Sequence, residues 1–127
     1  MPTDRPTAAE LVEAVREFLA DHVTPNVEGQ LAFHTRVAIN ALAIVERTMA
    51  DGGPMDAAEL ERLKDLLGQD GDLGEMNAAL SRAIRSGAMD DQRGAVLDHL
   101  RKTAEDKIAL ANPKYLIGFS FCSFWFN

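Results

Sequence analysis

Leu31-Ala32-Phe33-His34-Thr35-Arg36-Val37-Ala38-Ile39-Asn40-Ala41-Leu42-Ala43-Ile44-Val45-Glu46-Arg47-Thr48-Met49 is the stretch from which the fold can be read. With residues placed 100° apart, Leu31, Phe33, Val37, Ala38, Ala41, Leu42, Ile44, Val45 and Met49 cover one broad arc. Arg36, Asn40 and Arg47 gather on the opposite side, with Glu46 at one edge. An apolar arc of roughly half the circumference suits a helix packed on two neighbours, the central element of a bundle. The pattern predicts a helix from about Glu28 to Ala50, ended by Gly52-Gly53-Pro54.

Upstream, Thr7-Ala8-Ala9-Glu10 reads as a capping box, followed by an apolar stripe of Leu11, Val12, Val15, Phe18, Leu19 and Val23. Pro25 stops that helix, because its ring disfavours helical geometry in the preceding residue. Downstream, Asp56 with Glu59 opens a third helix whose inner stripe is Leu60, Leu63 and Leu67, and Gly68 supplies its left-handed end. Leu73, Met76, Leu80 and Ile84 line a fourth that closes at Gly87. Leu97, Leu100, Ala104, Ile108 and Ala111 mark the inner face of a fifth, between Asp90-Asp91 and Asn112-Pro113. The expected fold is all-α, a compact bundle of about five helices with an extended aromatic C-terminal tail. Residues 1–116 read as a single helical domain and residues 117–127 as the tail, strand-like or disordered.

The chain has 127 residues, 46% of them hydrophobic and 26% charged, which is a globular composition. Six of its eight aromatics, Tyr115, Phe119, Phe121, Phe124, Trp125 and Phe126, fall in the last thirteen positions. Phe119-Ser120-Phe121 alternates as a strand does. An uncharged apolar segment of this kind is aggregation-prone unless packed on the domain or on another chain, so self-association through the tail is one expectation. The net charge of -7 argues against nucleic acid as a partner. One cysteine, Cys122, excludes a disulfide framework and any multi-cysteine metal site. The N-terminus lacks the apolar run of a signal peptide. The twelve residues Tyr115–Phe126 fall short of the ~20 of a membrane-spanning helix, so a cytoplasmic location is expected.

No catalytic set emerges. His22, His34 and His99 are too far apart for a zinc-binding histidine pair. Gly68-Gln69-Asp70-Gly71-Asp72-Leu73-Gly74-Glu75 follows a helix and lacks both a phosphate-loop lysine and the calcium-loop glycine and glutamate positions, so it reads as a solvated turn. Cys122 has no neighbour in sequence to activate its thiol. No metal and no cofactor are expected. One polar constellation stands out on the second helix. His34 projects from the apolar arc, while Arg36, Asn40 and Arg47 form a stripe at i, i+4 and i+11. These four residues are the candidate ligand- or partner-binding set, the arginines suited to an anion. The competing reading is a core histidine, with the arginines pairing carboxylates across the bundle.

Four segments together resemble a bacterial family of helical proteins of unknown function. They are Asp4–Leu11, Leu31–Leu42 with its Phe-His-x-Arg-Val-Ala-x-Asn run, Ile84-Arg85-Ser86-Gly87, and Ala111-Asn112-Pro113-Lys114-Tyr115-Leu116. The resemblance covers residues 4–116 and leaves Ile117–Asn127 unmatched. Its members are commonly encoded beside aminoglycoside-phosphotransferase-like kinases and acyl-CoA-dehydrogenase-like enzymes. The resemblance implies an accessory role in an acyl-CoA or small-molecule catabolic setting. With an acidic composition and no catalytic set, the first expectation is a non-enzymatic accessory protein that binds a kinase-like or acyl-CoA-dehydrogenase-like enzyme. The alternative is a small-molecule binder or weak hydrolase with its site around His34 and Arg36.

Overall fold

The structure, a computed structural model, describes residues 4–116. It is all-α, with no strand among the described residues: α1 (Ala8–Phe18), α2 (Gly29–Leu67), α3 (Leu73–Ser86) and α4 (Arg93–Ala111). The expected aromatic tail, residues 117–127, lies outside the described residues.

The predicted capping box opens α1. The Thr7 hydroxyl accepts from the Glu10 N–H at 3.2 Å and the Glu10 carboxylate accepts from the Thr7 N–H at 3.0 Å. The α-helix gives way at Leu19 to a wider π turn, Leu19–Val23, and then to the 3-10 turn Thr24–Asn26 that contains Pro25. Val27 is extended and Gly29 takes φ 64°, a left-handed value that favours glycine. The chain reverses there, and Arg16 on α1 meets Glu46 on α2 at 2.6 Å.

The main difference from the sequence reading lies at Gly52-Gly53-Pro54. The second and third predicted helices are one 39-residue helix, and Pro54 sits inside it. Neither Gly52 nor Gly53 has positive φ, so both keep the helical path. A proline inside a helix forfeits one backbone hydrogen bond and crowds the carbonyl four residues back, at a cost of about 3 kcal/mol. That is a local penalty, and packing along the rest of a long helix can outweigh it. Asp56 accordingly stands within the helix and caps nothing. A Cβ built on Gly53 meets nothing within 4 Å. Pro54 follows directly, however, and its ring crowds the Cβ of a helical predecessor, so alanine gains nothing at Gly53. At Gly94 on α4, where no proline follows and a built Cβ also meets nothing within 4 Å, Gly94→Ala should raise stability by about 0.5–1 kcal/mol, seen as a higher urea midpoint with an unchanged slope.

The chain forms two compact units, Met1–Asp51 and Gly52–Asn127, whose boundary falls at this glycine pair. In the first, α1 and the start of α2 make an antiparallel hairpin. Thr35 is buried, with Ile39, Leu42 and Glu46 half-buried on the same side of α2. Large apolar side chains remain in water: Leu11, Val15 and Phe18 on α1, and Leu31, Phe33, Val37, Ile44, Val45 and Met49 on α2, each at least 36% exposed.

In the second unit Leu63, Met76, Leu80, Met89 and Val96 form the core, backed by Leu60, Leu66, Leu67, Leu73 and Ala83. The inner stripe expected for Leu60–Leu67 packs, and so does that of the next helix at Leu73, Met76 and Leu80, but its last member, Ile84, is 44% exposed. Gly68 (φ 65°) and Gly87 (φ 84°) end their helices in the left-handed conformation. The loop between α2 and α3 is the solvated turn expected. Asp72 caps α3 by accepting from the Glu75 N–H at 2.8 Å, and Asp70 pairs with Lys64 at 3.2 Å.

The last helix differs. α4 does not bury Leu97, Leu100, Ala104 and Ile108. It buries Val96 and His99, with Thr103, Asp106 and Leu110 half-buried along the same line. Its apolar stripe is therefore rotated about 100° away from the core-facing line. Polar bonds at His99 and Thr103, described next, hold that orientation.

Candidate functional site

Three places in the described residues bear most directly on function, each lying within one unit. The first is a buried polar cluster between α2 and α4. Glu59, Arg62 and Leu63 follow one another at helical spacing on α2, while His99 and Thr103 are one turn apart on α4. The Arg62 Nε–H donates to His99 Nδ1 at 3.2 Å and its Nη2 donates to the Thr103 hydroxyl at 3.1 Å. Asn77 on α3 donates to Glu59 Oε1 at 3.4 Å. His99 is only 3% exposed and Glu59 only 7%.

Because Nδ1 accepts, the imidazole is neutral and carries its proton on Nε2. Burial pushes the His99 pKa below its usual value, the nearby Arg62 charge pushes the same way, and Glu59 opposes them. The sequence does not single out His99 as a partner of Arg62, because the two stand 37 residues apart and spacing carries no trace of such a pairing. The cavity beside the cluster, lined by Met55, Glu59, Thr103 and Leu110 among others, holds about 40 Å³. That is room for a water, not a substrate. With Nδ1 occupied by Arg62 and the ring covered, the cluster clamps α2 to α4 and presents no nucleophile.

The second place is an open apolar groove in the same unit. Ile84 ends α3, Met89 and Asp90 lie in the turn after Gly87, and Arg93, Val96, Leu97 and Leu100 come from the first turns of α4. The groove holds about 530 Å³. Its apolar lining is well exposed, Ile84 44%, Leu97 53% and Leu100 43%, with Asp90 and Arg93 placing opposite charges on its rim. The groove exists because α4 turns its polar line inward and so leaves Leu97 and Leu100 outside.

The third place is the residue set singled out on α2. His34, Arg36 and Asn40 are exposed and Arg47 is half-buried. The His34 ring meets the Phe33 ring edge-on, with centroids 5.5 Å apart. None of the four lines the groove or the small cavity. Among the described residues no group of three or more His, Cys, Asp or Glu side chains is placed to hold a metal ion, and no helix is long and apolar enough to cross a membrane.

Comparison with known proteins places the chain in a family of unknown function. No curated protein and no solved structure matches the chain. A family described as a domain of unknown function, DUF6285, matches residues 25–115, from the hairpin turn through the end of α4. The match takes in the α2 residues His34 to Arg47, the Arg62–His99 clamp and the groove, and the chain is a member of the DUF6285 family.

Proposed function

We propose that this chain is a non-enzymatic accessory domain that binds a partner protein through the groove between the end of α3 and the start of α4. The observation that carries the reading is the inverted packing of α4. The helix buries His99 and Thr103 and leaves Leu97, Leu100 and Ile108 in water, at 53%, 43% and 37% exposure. A chain that spends its polar residues on its interior and keeps leucines outside has an apolar surface to cover. A groove lined by Ile84, Leu97 and Leu100 would take the apolar face of an amphipathic partner helix, its i, i+3/i+4 and i+7 side chains. The rim charges Asp90 and Arg93 would set its register. The family resemblance points to a kinase-like or acyl-CoA-dehydrogenase-like enzyme as that partner.

Co-purification with such enzymes from neighbouring genes tests this. The full chain should retain one of them, and Leu97→Asp, made at a half-exposed position, should weaken retention tenfold or more while far-UV circular dichroism is unchanged. Retention of none, or equal retention by the variant, overturns the proposal.

A further inference from the structure

We infer that the C-terminal tail, residues 117–127, covers the groove between α3 and α4 of its own chain, docked on the apolar stripe that α4 leaves outside. That stripe is continuous. At 100° per residue, Leu97, Leu100, Ala104 and Ile108 fall within about 80° of one another. It runs from the groove at the start of α4 toward the helix end from which the tail departs. Leu97, Leu100 and Ile108 are 53%, 43% and 37% exposed, so the described residues leave the stripe in water.

Reach, chemistry and tethering decide the occupant. From Ala111 back to Leu97 is about 21 Å along the helix. The N–H groups of Tyr115 and Leu116 donate to the Asn112 and Pro113 carbonyls at 3.1 and 3.2 Å, which keeps the exit point near the end of α4. The eleven residues that follow Leu116 can span up to about 36 Å, enough to turn back and reach the groove. They carry no charge and five aromatic side chains, Phe119, Phe121, Phe124, Trp125 and Phe126. Rings of this kind are costly to leave in water, and an apolar stripe removes that cost. The groove, about 530 Å³, lies in the size range that accepts organic groups of this bulk. The charged residues of α4 nearest the stripe are cations: Arg93 heads it, and Arg101 and Lys107 flank it. The acids Asp98 and Glu105 lie about 60° or more beyond its edge, and Asp90 stands on the groove rim. Cations beside the path favour aromatic rings, whose faces attract positive charge. A segment joined to the helix it covers also has an effective concentration on the order of millimolar, so weak contacts suffice to hold it. A partner enzyme at this groove would have to displace the tail, but the tail's place there rests on nothing about that partner.

The tail holds the chain's one tryptophan, Trp125, and its one cysteine, Cys122, so both serve as native reporters. In the purified full chain, Trp125 emission should lie to the blue of the urea-unfolded chain, and Cys122 should react with a thiol reagent about tenfold more slowly. Leu97→Asp should return both signals toward the unfolded values with helix content retained. If Leu97→Asp loses helix, the double variant Leu97→Ala/Leu100→Ala carries the test, with thiol reactivity expected to rise about threefold or more. A wild type whose Trp125 and Cys122 are as accessible as in the unfolded chain overturns the inference, and so does protection that survives the groove substitutions. Protection that fades on dilution, or a two-chain mass in light scattering that Leu97→Asp reduces to one, would place the tail on a second copy and overturns it too. These signals come from the purified chain alone, so their failure leaves co-purification with an enzyme to be judged on its own result.

Discussion

Leu63→Ala should cost about 2–5 kcal/mol, the range for removing a fully enclosed leucine, and should be the most damaging single truncation in the Gly52–Asn127 unit. Leu63 has 0% exposure and stands at the centre of the cluster it forms with Met76, Leu80, Met89 and Val96. Among the described residues the buried apolar set is small, five side chains. Few other contacts are available to absorb the loss. The cavity would open where α2 meets α3 and α4, and one turn of α2 separates it from Glu59, so relaxation into it would disturb the Asn77–Glu59 contact as well. A typical domain is stable by only 5–15 kcal/mol, so a loss of this size removes a large share. Urea unfolding followed by circular dichroism should show a much lower midpoint with little change in slope. Leu97→Ala provides the contrast. Its side chain is 53% exposed, and its truncation should change stability by no more than about 0.5 kcal/mol. Equal costs at the two positions would contradict the placement of both residues.

These two leucines show how far the sequence could be read. Local rules worked where the energy is local. The Thr7–Glu10 capping box, the left-handed Gly68 and Gly87, and the inner stripes of Leu60–Leu67 and Leu73–Leu80 each depend on side chains within one or two turns. The rules failed where a distant partner outweighs them. Periodicity alone turns Leu97, Leu100, Ala104 and Ile108 inward, since apolar residues usually face the core. The two hydrogen bonds from Arg62 to His99 and Thr103 hold α4 in a different rotation, and neither is visible at a separation of 37 or 41 residues. Gly52-Gly53-Pro54 failed for a related reason. A proline is a penalty of fixed size, and whether it ends a helix depends on what the turns beyond it gain by continuing.

On α2 the broad apolar arc leads to an expectation of neighbours on two sides, which the hairpin meets on one side only. Within its unit the hairpin supplies α1 on one side and leaves the other side in water. The candidate residues His34, Arg36 and Asn40 were picked for their chemistry. Chemistry without an enclosing shape does not distinguish a ligand site from a solvated stripe, and shape is what the sequence withholds. The groove at Ile84, Leu97 and Leu100 was invisible for the opposite reason: its residues look like core.

The buried histidine also makes stability depend on pH, in a direction fixed by its partner. Protonating His99 would turn Nδ1 from an acceptor into a donor aimed at the Arg62 N–H, and would place a second cation beside the guanidinium with only 3% of the residue in contact with water. Arg62 and Glu59 face it from α2, and Asn77 on α3, which reaches Glu59, is uncharged. Burial and Arg62 outweigh Glu59, so the folded-state pKa lies below the ordinary 6.5 that the unfolded chain retains. Below pH 6.5 the unfolded chain takes up a proton that the folded chain still refuses. The His99 contribution is therefore complete above about pH 7 and is lost as the pH falls through 6.5 toward the folded pKa. Asp70 and Asp72 also have lowered pKa values, so their contributions fade only at more acidic pH. Asp72 pushes the Glu75 carboxyl above its ordinary value, so the urea midpoint is measured between about pH 7.5 and 5 in wild type and variant, and their difference isolates the histidine. His99→Gln keeps an oxygen that can accept from Arg62 and carries nothing that titrates, so it should flatten the curve across that window while lowering stability at pH 7.5. His34→Gln, at an exposed position on α2, should leave the wild-type curve in place. A wild-type midpoint that stays level or rises on acidification would mean that Arg62 does not govern the imidazole, and the clamp between α2 and α4 would need another origin.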